Sequence, residues 1–564
     1  MAFRIGLLSL LGFHLSSSTL AHPQQSVTTR SACENTPQSR SCWATSFDID
    51  TNYYEEWPDT GRIVEYSLNI AETVLSPDGV PRPMITANGV FPGPTLEADW
   101  GDTLVVHVTN SLPNNGTAIH FHGVRQLNNN QNDGVPSVTQ CPIAPGKTMT
   151  YTWKATQYGS SWYHSHWGLQ AWDGVAGGIV IHGPATSNYD EDLGILVITD
   201  WSHETAVQLY PGVLEIAFSI QDNGLINGTN TWQDKGQRWE VVFQPGKKYL
   251  MRIVNVSVDH HFKFSIDGHT LTVIAADFVP IKPFTTTILN VGIAQRYDVI
   301  VNADALPGNY WLRAFPALLC DVNKNPSNIK GIIRYDMGSS MNPTTLPWPS
   351  LDINCDDETQ LRAMEPCVAL SPGLADEEGN IDVETFLEDQ KYWKWQMNST
   401  SFRGDWGNPT ILQVHEGILN FTQENDVIKL ERPNEWAYFV IETDFIFAHP
   451  IHLHGHDFYL LAQGTGKFDA STPLNITNPL RRDTAMLPLS GYMVMAFKAD
   501  NPGAWLMHCH IGWHVESGLA LQFLELPNAI NATLDADQLT STCIQWNDWQ
   551  KDYNLIQDIN DSGV

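Results

Sequence analysis

Two distant stretches of this chain share one frame. Gly159-Ser-Ser-Trp-Tyr-His164-Ser-His166 and Gly503-Ala-Trp-Leu-Met-His508-Cys509-His510 each set a His-x-His pair five residues after a glycine. Ahead of each lies a second echo, His120-Phe-His122-Gly in the first group and His452-Leu-His454-Gly in the second. Segments that recur in the same order mark related structural units. A middle copy keeps the frame without a ligand, in Gly308-Asn-Tyr-Trp-Leu-Arg313-Ala-Phe315, and the run from His261 to His269 loosely echoes the block that opens at His449. The chain therefore reads as three related domains, predicted at 31–184, 185–357 and 358–564, of which the middle one holds no metal. A chain of 564 residues has room for three domains of ordinary size.

The units read as all-β. The 41 glycines and 33 prolines are spread along the chain between short alternating runs such as Thr103-Leu-Val-Val-His-Val-Thr109, the pattern of strands joined by frequent turns. On a strand, successive side chains point to opposite faces. Each His-x-His pair then offers two imidazoles on one face. In His508-Cys509-His510 the imidazoles face one way and the thiol the other, so one peptide can feed two metal sites.

Ten of the 20 histidines stand at ligand spacing in four blocks: His120 and His122; His164 and His166; His449, His452 and His454; and His508, His510 and His514. One thiolate with two imidazoles suits a blue-copper site. The first copy has Ser165 where the last has Cys509, so it can share in a histidine site but cannot build a sulfur site of its own. Zinc prefers closed sites with CxxC-like spacing, and no such spacing occurs here.

The formal net charge of −31 disfavours nucleic-acid binding. Residues 1–21 read as a secretory signal, with Arg4 ahead of the apolar Ile5–Leu15 and a small-residue cleavage site at Thr19-Leu-Ala21. Residues 22–30 read as a pro-segment ending near Arg30. No later apolar run is long enough for a membrane span. Export agrees with eight cysteines, of which Cys33 and Cys42 are close enough in sequence to pair; the sequence alone leaves the others open. It also agrees with candidate glycosylation sequons at Asn115, Asn227, Asn255, Asn398, Asn420, Asn475, Asn531 and Asn560. Arg481-Arg482 reads as a local salt-bridge pair.

The four histidine blocks, in this order, resemble those of the multicopper oxidases, most closely the laccases of ascomycete fungi. The resemblance runs from Cys33-x8-Cys42-Trp43 to the final Asp561-Ser-Gly-Val564. It implies three cupredoxin-like Greek-key β-barrels and four copper ions. Cys509, His449 and His514 would hold the type 1 ion, and His120 and His452 the type 2 ion. His122, His164, His166, His454, His508 and His510 would hold the type 3 pair. It also implies disulfides Cys33–Cys42, Cys141–Cys543 and Cys320–Cys355, with Cys367 left over as a competitor of Cys355. Leu519 would occupy the axial direction of the type 1 ion without coordinating it, which favours a high potential.

The activity implied is one-electron oxidation of phenols and aromatic amines, coupled to reduction of O2 to water, in a secreted monomer. Substrate would dock at His514, expected to reach solvent, with Trp513 as an apolar wall and Asp259 as proton acceptor. Asp133, in an Asn-Asp-Gly turn, would serve the three-ion pocket. The tail Asp561, Ser562, Gly563 and Val564 would plug a channel to it. Gly512 departs from relatives that carry an acid there, so protons need another route. The competing readings are a metal-ion oxidase acting on Fe(II), with Glu516 and Asp457 as cation-binding acids, a non-catalytic copper-binding protein, and an ascorbate or bilirubin oxidase.

Overall fold

Alternating runs become strands with one face inward. Along Thr103–Asn110, Leu104, Val106 and Val108 are buried while Thr103, Val105 and His107 between them are partly exposed; Trp436–Thr443 repeats the pattern. A computed structural model describes residues 33–564 except 45, 336–337, 351, 365–366, 370–377, 470 and 559. The predicted signal (1–21) and pro-segment (22–30) lie outside the described residues.

Among the described residues the strands form, besides two two-stranded ribbons, three pairs of mixed sheets, and one sheet of each pair carries the repeated frame. In the first repeat, β1 (Ile119–Phe121) and β2 (Gly159–Ser165) lie antiparallel; β2 continues antiparallel to Ala176–His182, which lies parallel to Gly93–Asp99. In the middle repeat the same places are taken by β3 (Phe262–Ile266), β4 (Asn309–Pro316), Lys330–Arg334 and Glu240–Val242. In the last they are taken by β5 (His449–Leu453), β6 (Gly503–Cys509), Ala520–Glu525 and Val427–Leu430. The second sheet of each pair also repeats, with one parallel contact (Ile63–Leu75 to Thr103–Asn110, Glu191–Trp201 to Lys248–Asn255, Glu378–Glu388 to Trp436–Thr443) flanked by antiparallel ones. Neighbours in space are not neighbours in sequence, as in Greek-key barrels.

The register explains why the middle copy is blank. His120 stands directly opposite His164, and His452 opposite His508. At the matching rung of the middle repeat stand Ser265 and Arg313. Arg313 is spent on a two-pronged pair with Asp267, both contacts 2.7 Å.

Unlike the half-buried barrel strands, β2 and β6 are buried along their whole length, because they lie where repeats meet. Arg252 of the middle repeat donates to Ser160 Oγ (3.0 Å). Asn130 of the first repeat clasps both backbone groups of Ala504, at 2.8 and 3.0 Å. A further clamp comes from α1 (Gly512–Glu516), which follows β6, and α2 (Ala536–Tyr553) near the chain end. The Asp535 side chain caps α2 by accepting from the Gln538 N–H (3.0 Å). Leu539, Cys543 and Trp546, spaced i, i+4, i+7, form its buried face. Cys543 is bonded to Cys141 of the first repeat, Cys33 to Cys42, and Cys320 to Cys355, so Cys367 does not compete for Cys320. No helix among the described residues is long and apolar enough to cross a membrane.

Candidate metal centre

Cys509 and two histidines meet inside the last repeat. β5 opens with His449, β6 ends with Cys509, and α1 brings His514 back over the strand end. Cys509 Sγ lies 3.7 Å from His449 Nδ1 and 3.5 Å from His514 Nδ1. All three side chains are buried. Trp395 lies against both rings, with centroids 3.9 Å from His514 and 5.0 Å from His449. Leu519 is fully buried; its carbonyl accepts from the Cys509 N–H and its own N–H donates to the His514 carbonyl. Burial pushes the Cys509 thiol up, so a cation must displace its proton. Burial holds His449 down to about 3 and His514 well below its usual value. Both imidazoles therefore keep free lone pairs.

On the other face of β6, eight imidazoles from both outer repeats converge. His122, His164 and His510 form one triangle, with ring centroids 5.0–5.8 Å apart. His166, His454 and His508 form a second, 5.2–5.3 Å apart. His120 and His452 face each other at 5.9 Å.

Fixed acceptors decide which nitrogen of each ring is left over. His120 Nδ1 donates to the Asp133 carbonyl (2.7 Å), His452 Nδ1 to the Asp483 carbonyl (2.8 Å), His164 Nδ1 to the Ser165 carbonyl (3.0 Å) and His508 Nδ1 to the Cys509 carbonyl (2.9 Å). His454 Nδ1 donates to Asp133 Oδ2 (2.9 Å) and His122 Nε2 to Asp483 Oδ1 (3.2 Å). Among the described residues the opposite nitrogens of His120, His122, His164 and His452 then have no partner at all. The Nε2 atoms of His454 and His508 face each other at 3.2 Å, each with its proton committed elsewhere. Buried polar atoms are nearly always paired, so a knot of inward lone pairs is a donor set for cations. Burial, reinforced by the neighbouring rings, holds His122, His166, His452, His454 and His510 well below the ordinary imidazole value, and His508 at about 4.

Two carboxylates brace this pocket from opposite sides. Asp133, predicted from sequence, also lies 3.3 Å from His120 through Oδ1. Asp483 was not expected. It contacts His122 and is gripped by Arg296 at 2.7 and 2.6 Å. Nothing in its context marks it, since the adjacent Arg481-Arg482 reads only as a local salt-bridge pair. Those two arginines are buried ion-pair partners, Arg481 of Asp457 (3.0 Å) and Arg482 of Asp277 (2.7 Å).

A cavity of about 200 Å³ opens beside the sulfur site. His514, Asp259, Ser219 and His261 line it, with Ile293, Met486 and Phe447 among the apolar walls. His514 is itself only 5% exposed, so its contact with solvent runs through this cavity. Asp259 accepts from the Ser219 hydroxyl (2.7 Å); desolvation raises its carboxyl, against the pull of Ser219 and the Trp513 indole.

Trp513 is not a wall of this cavity. It is buried and lines a separate cleft with Trp172, Arg82 and Asp200. From there its indole still reaches Asp259, which lines the cavity beside His514. The Asn255 sequon is also corrected. Asn255 is fully buried, its amide donates to the carbonyls of His260 and Val291, and its oxygen accepts from the Ser257 N–H, so it cannot carry a glycan in the folded chain. The other seven sequon asparagines are exposed or partly exposed.

The tail is tied down. Ser137 Oγ donates to the Gly563 carbonyl (2.7 Å), the Gly404 N–H to the Ser562 carbonyl (2.8 Å), and the Ser562 N–H to the Glu516 carbonyl (3.1 Å). Val564 packs with Val135, Val138 and Leu506, and Leu506 shares a face of β6 with His508.

Known proteins agree with this architecture. Multicopper oxidase family models match residues 69–186, 192–338 and 389–529. Laccase-1 of Botryotinia fuckeliana is 47% identical over 542 residues, covering 95% of this chain and 94% of the relative. Laccase-2 of the same fungus is 44% identical over 564 residues, covering 96% and 95%. The crystal structure of a laccase from Botrytis aclada superposes with a TM-score of 0.90 at 43% identity, covering 94% of this chain and all of the other. The chain belongs to the multicopper oxidase family, in its fungal laccase branch. Copper is accordingly its metal.

Proposed function

We propose that this enzyme takes four copper ions, one at Cys509, His449 and His514, one at His120 and His452, and two between the triangles His122–His164–His510 and His166–His454–His508. The partnerless inward nitrogens support this reading most directly. Bound copper supplies one-electron chemistry at the sulfur site and dioxygen reduction at the histidine pocket.

The reaction proposed is oxidation of four phenols or aromatic amines, each losing one electron and one proton, with O2 taken to two waters. The Asp259 carboxylate takes the phenolic proton, so no cationic radical need form. Cys509 is bonded through its own backbone to His508 and His510, which gives electrons a covalent path between the sites. Asp133 and Asp483 orient imidazoles and sit where protons can be held. The units proposed are domains at 31–184, 185–357 and 358–564, exported behind residues 1–21 and 22–30, glycosylated, and monomeric, with Val564 stopping a channel to the pocket.

An Fe(II) oxidase would need free acids near His514. Asp457 is held by Tyr53 and Arg481, and Glu516 is buried near Asp561. Neither lines the cavity, whose two carboxylates, Asp259 and Asp321, already accept from the Ser219 hydroxyl and from the His261 and Ala317 N–H groups. Oxygen uptake with 2-methoxyphenol far above that with Fe(II) is expected; the reverse order rejects the assignment.

A further inference from the structure

A buried carboxylate outside the cavity beside His514 grips the loop that carries Asp259. Asp200, on the strand Glu191–Trp201, lines the cleft that holds Trp513 and not that cavity. It accepts from three successive backbone N–H groups of the loop: Val258 at Oδ1 (3.0 Å), and Asp259 (2.9 Å) and His260 (3.1 Å) at Oδ2. The clasp is reciprocal, since the Asp200 N–H donates to Ser257 Oγ (3.0 Å). Successive N–H groups turned toward one point make a concave seat for an anion, and hydrogen bonds to a charged acceptor are roughly twice as strong as neutral ones.

Burying a carboxylate costs stability unless its lone pairs are matched. Asp200 is buried, and its match is the loop backbone; the His260 ring beside it (Nδ1 at 3.5 Å) is kept neutral, held by burial at about 3. The side chain of Asp259 is fixed separately, by the Ser219 hydroxyl and the Trp513 indole. Backbone and side chain of the one acid are thus restrained from two directions. We propose that Asp200 is a positioning residue for phenol oxidation: it sets the backbone from which Asp259 meets the substrate hydroxyl, without touching substrate itself. This rests on the reading of Asp259 as proton acceptor. Displacing a reacting group by about 1 Å can cost on the order of a hundredfold. The amide of Asp200→Asn must turn a donor toward at least one of the three N–H groups.

The test is a double-mutant cycle on copper-loaded wild type, Asp200→Asn, Asp259→Asn and the double variant. Each is scored by the ratio of kcat/KM on 2-methoxyphenol to that on ferrocyanide, which gives up an electron but no proton. Taken within one preparation, the ratio cancels any misfolded fraction. Asp200→Asn should lower it about tenfold in the wild-type background and less than about twofold in the Asp259→Asn background. Hydrogen exchange at the amides of residues 258–260 should quicken in Asp200→Asn. An equal fall in both backgrounds, no fall in either, or unchanged exchange overturns the role of Asp200 while leaving Asp259 as proton acceptor. A ratio that Asp259→Asn alone leaves unchanged overturns both readings.

Discussion

Gly512 lies against the face of Trp172: a Cβ at this position would come within 2.6 Å of the indole ring. The Trp172 indole N–H donates to the Ser257 carbonyl (3.0 Å), and the Gly512 N–H to the Val258 carbonyl (2.9 Å). The strand-to-helix corner between Cys509 and His514 is thus pinned to the loop that carries Asp259. The Trp172 ring leaves no room at this position for a larger side chain. Gly512→Glu should destabilise the fold by roughly 1–3 kcal/mol through overpacking, more if the carboxylate is buried. Thermal unfolding and copper content check this; a variant of unchanged stability and higher turnover would contradict it.

The raised Asp259 carboxyl gives phenol oxidation a pH dependence of defined sign. A protonated acid cannot accept a proton, so activity on phenols should rise with pH through a value above the ordinary carboxylate range. A donor such as ferrocyanide, which loses an electron but no proton, should lack that limb. Asp259→Asn should cost on the order of tenfold or more on phenols and abolish the limb. Steady-state profiles decide it, and a limb that survives in the variant assigns it to another group.

How much of this was legible beforehand follows from what each feature depends on. The histidine blocks could be read because ligation demands particular residue types at strand spacing. The middle repeat could be placed by its Gly308 frame, although why it is blank needed the Ser265–Arg313 rung and the pull of Asp267. Asp483 and Trp172 act through long-range packing, which leaves no local pattern. The Trp513 expectation rested on its standing next to His514 in sequence, and adjacency along the chain does not by itself put two side chains in one cavity. The Asn255 expectation failed because a sequon says nothing about burial.

At the tail, buried Glu516 and partly exposed Asp561 are neighbouring acids. Burial raises Glu516 well above its usual value and Asp561 to about 6, each also raised by neighbouring carboxyls. Groups whose folded value is raised bind protons more tightly in the folded state. Their stabilisation is therefore present in acid and lost as pH rises through the folded values. Wild type should lose stability from about pH 5 to 8, and Glu516→Gln should reduce that loss by roughly 1 kcal/mol. Melting curves at the two pH values test this; parallel losses in both proteins would refute it.

Removing residues 561–564 deletes the anchors to Ser137, Gly404 and Glu516. The truncated enzyme should keep its sulfur-site absorption while O2 consumption falls several-fold. Full O2 consumption after truncation would detach the tail from function.

The account depends most on Cys509, whose sulfur faces His449 and His514 while its two neighbours face the histidine pocket. The most direct measurement is the visible spectrum and copper content of copper-loaded wild type beside Cys509→Ser. Wild type should bind four copper ions per chain and show an intense band at roughly 600 nm, where thiolate-to-copper charge transfer falls for such ligands. The serine variant should lose that band, one copper and phenol turnover together. Wild type without the band, or a serine variant that keeps it, would contradict the account.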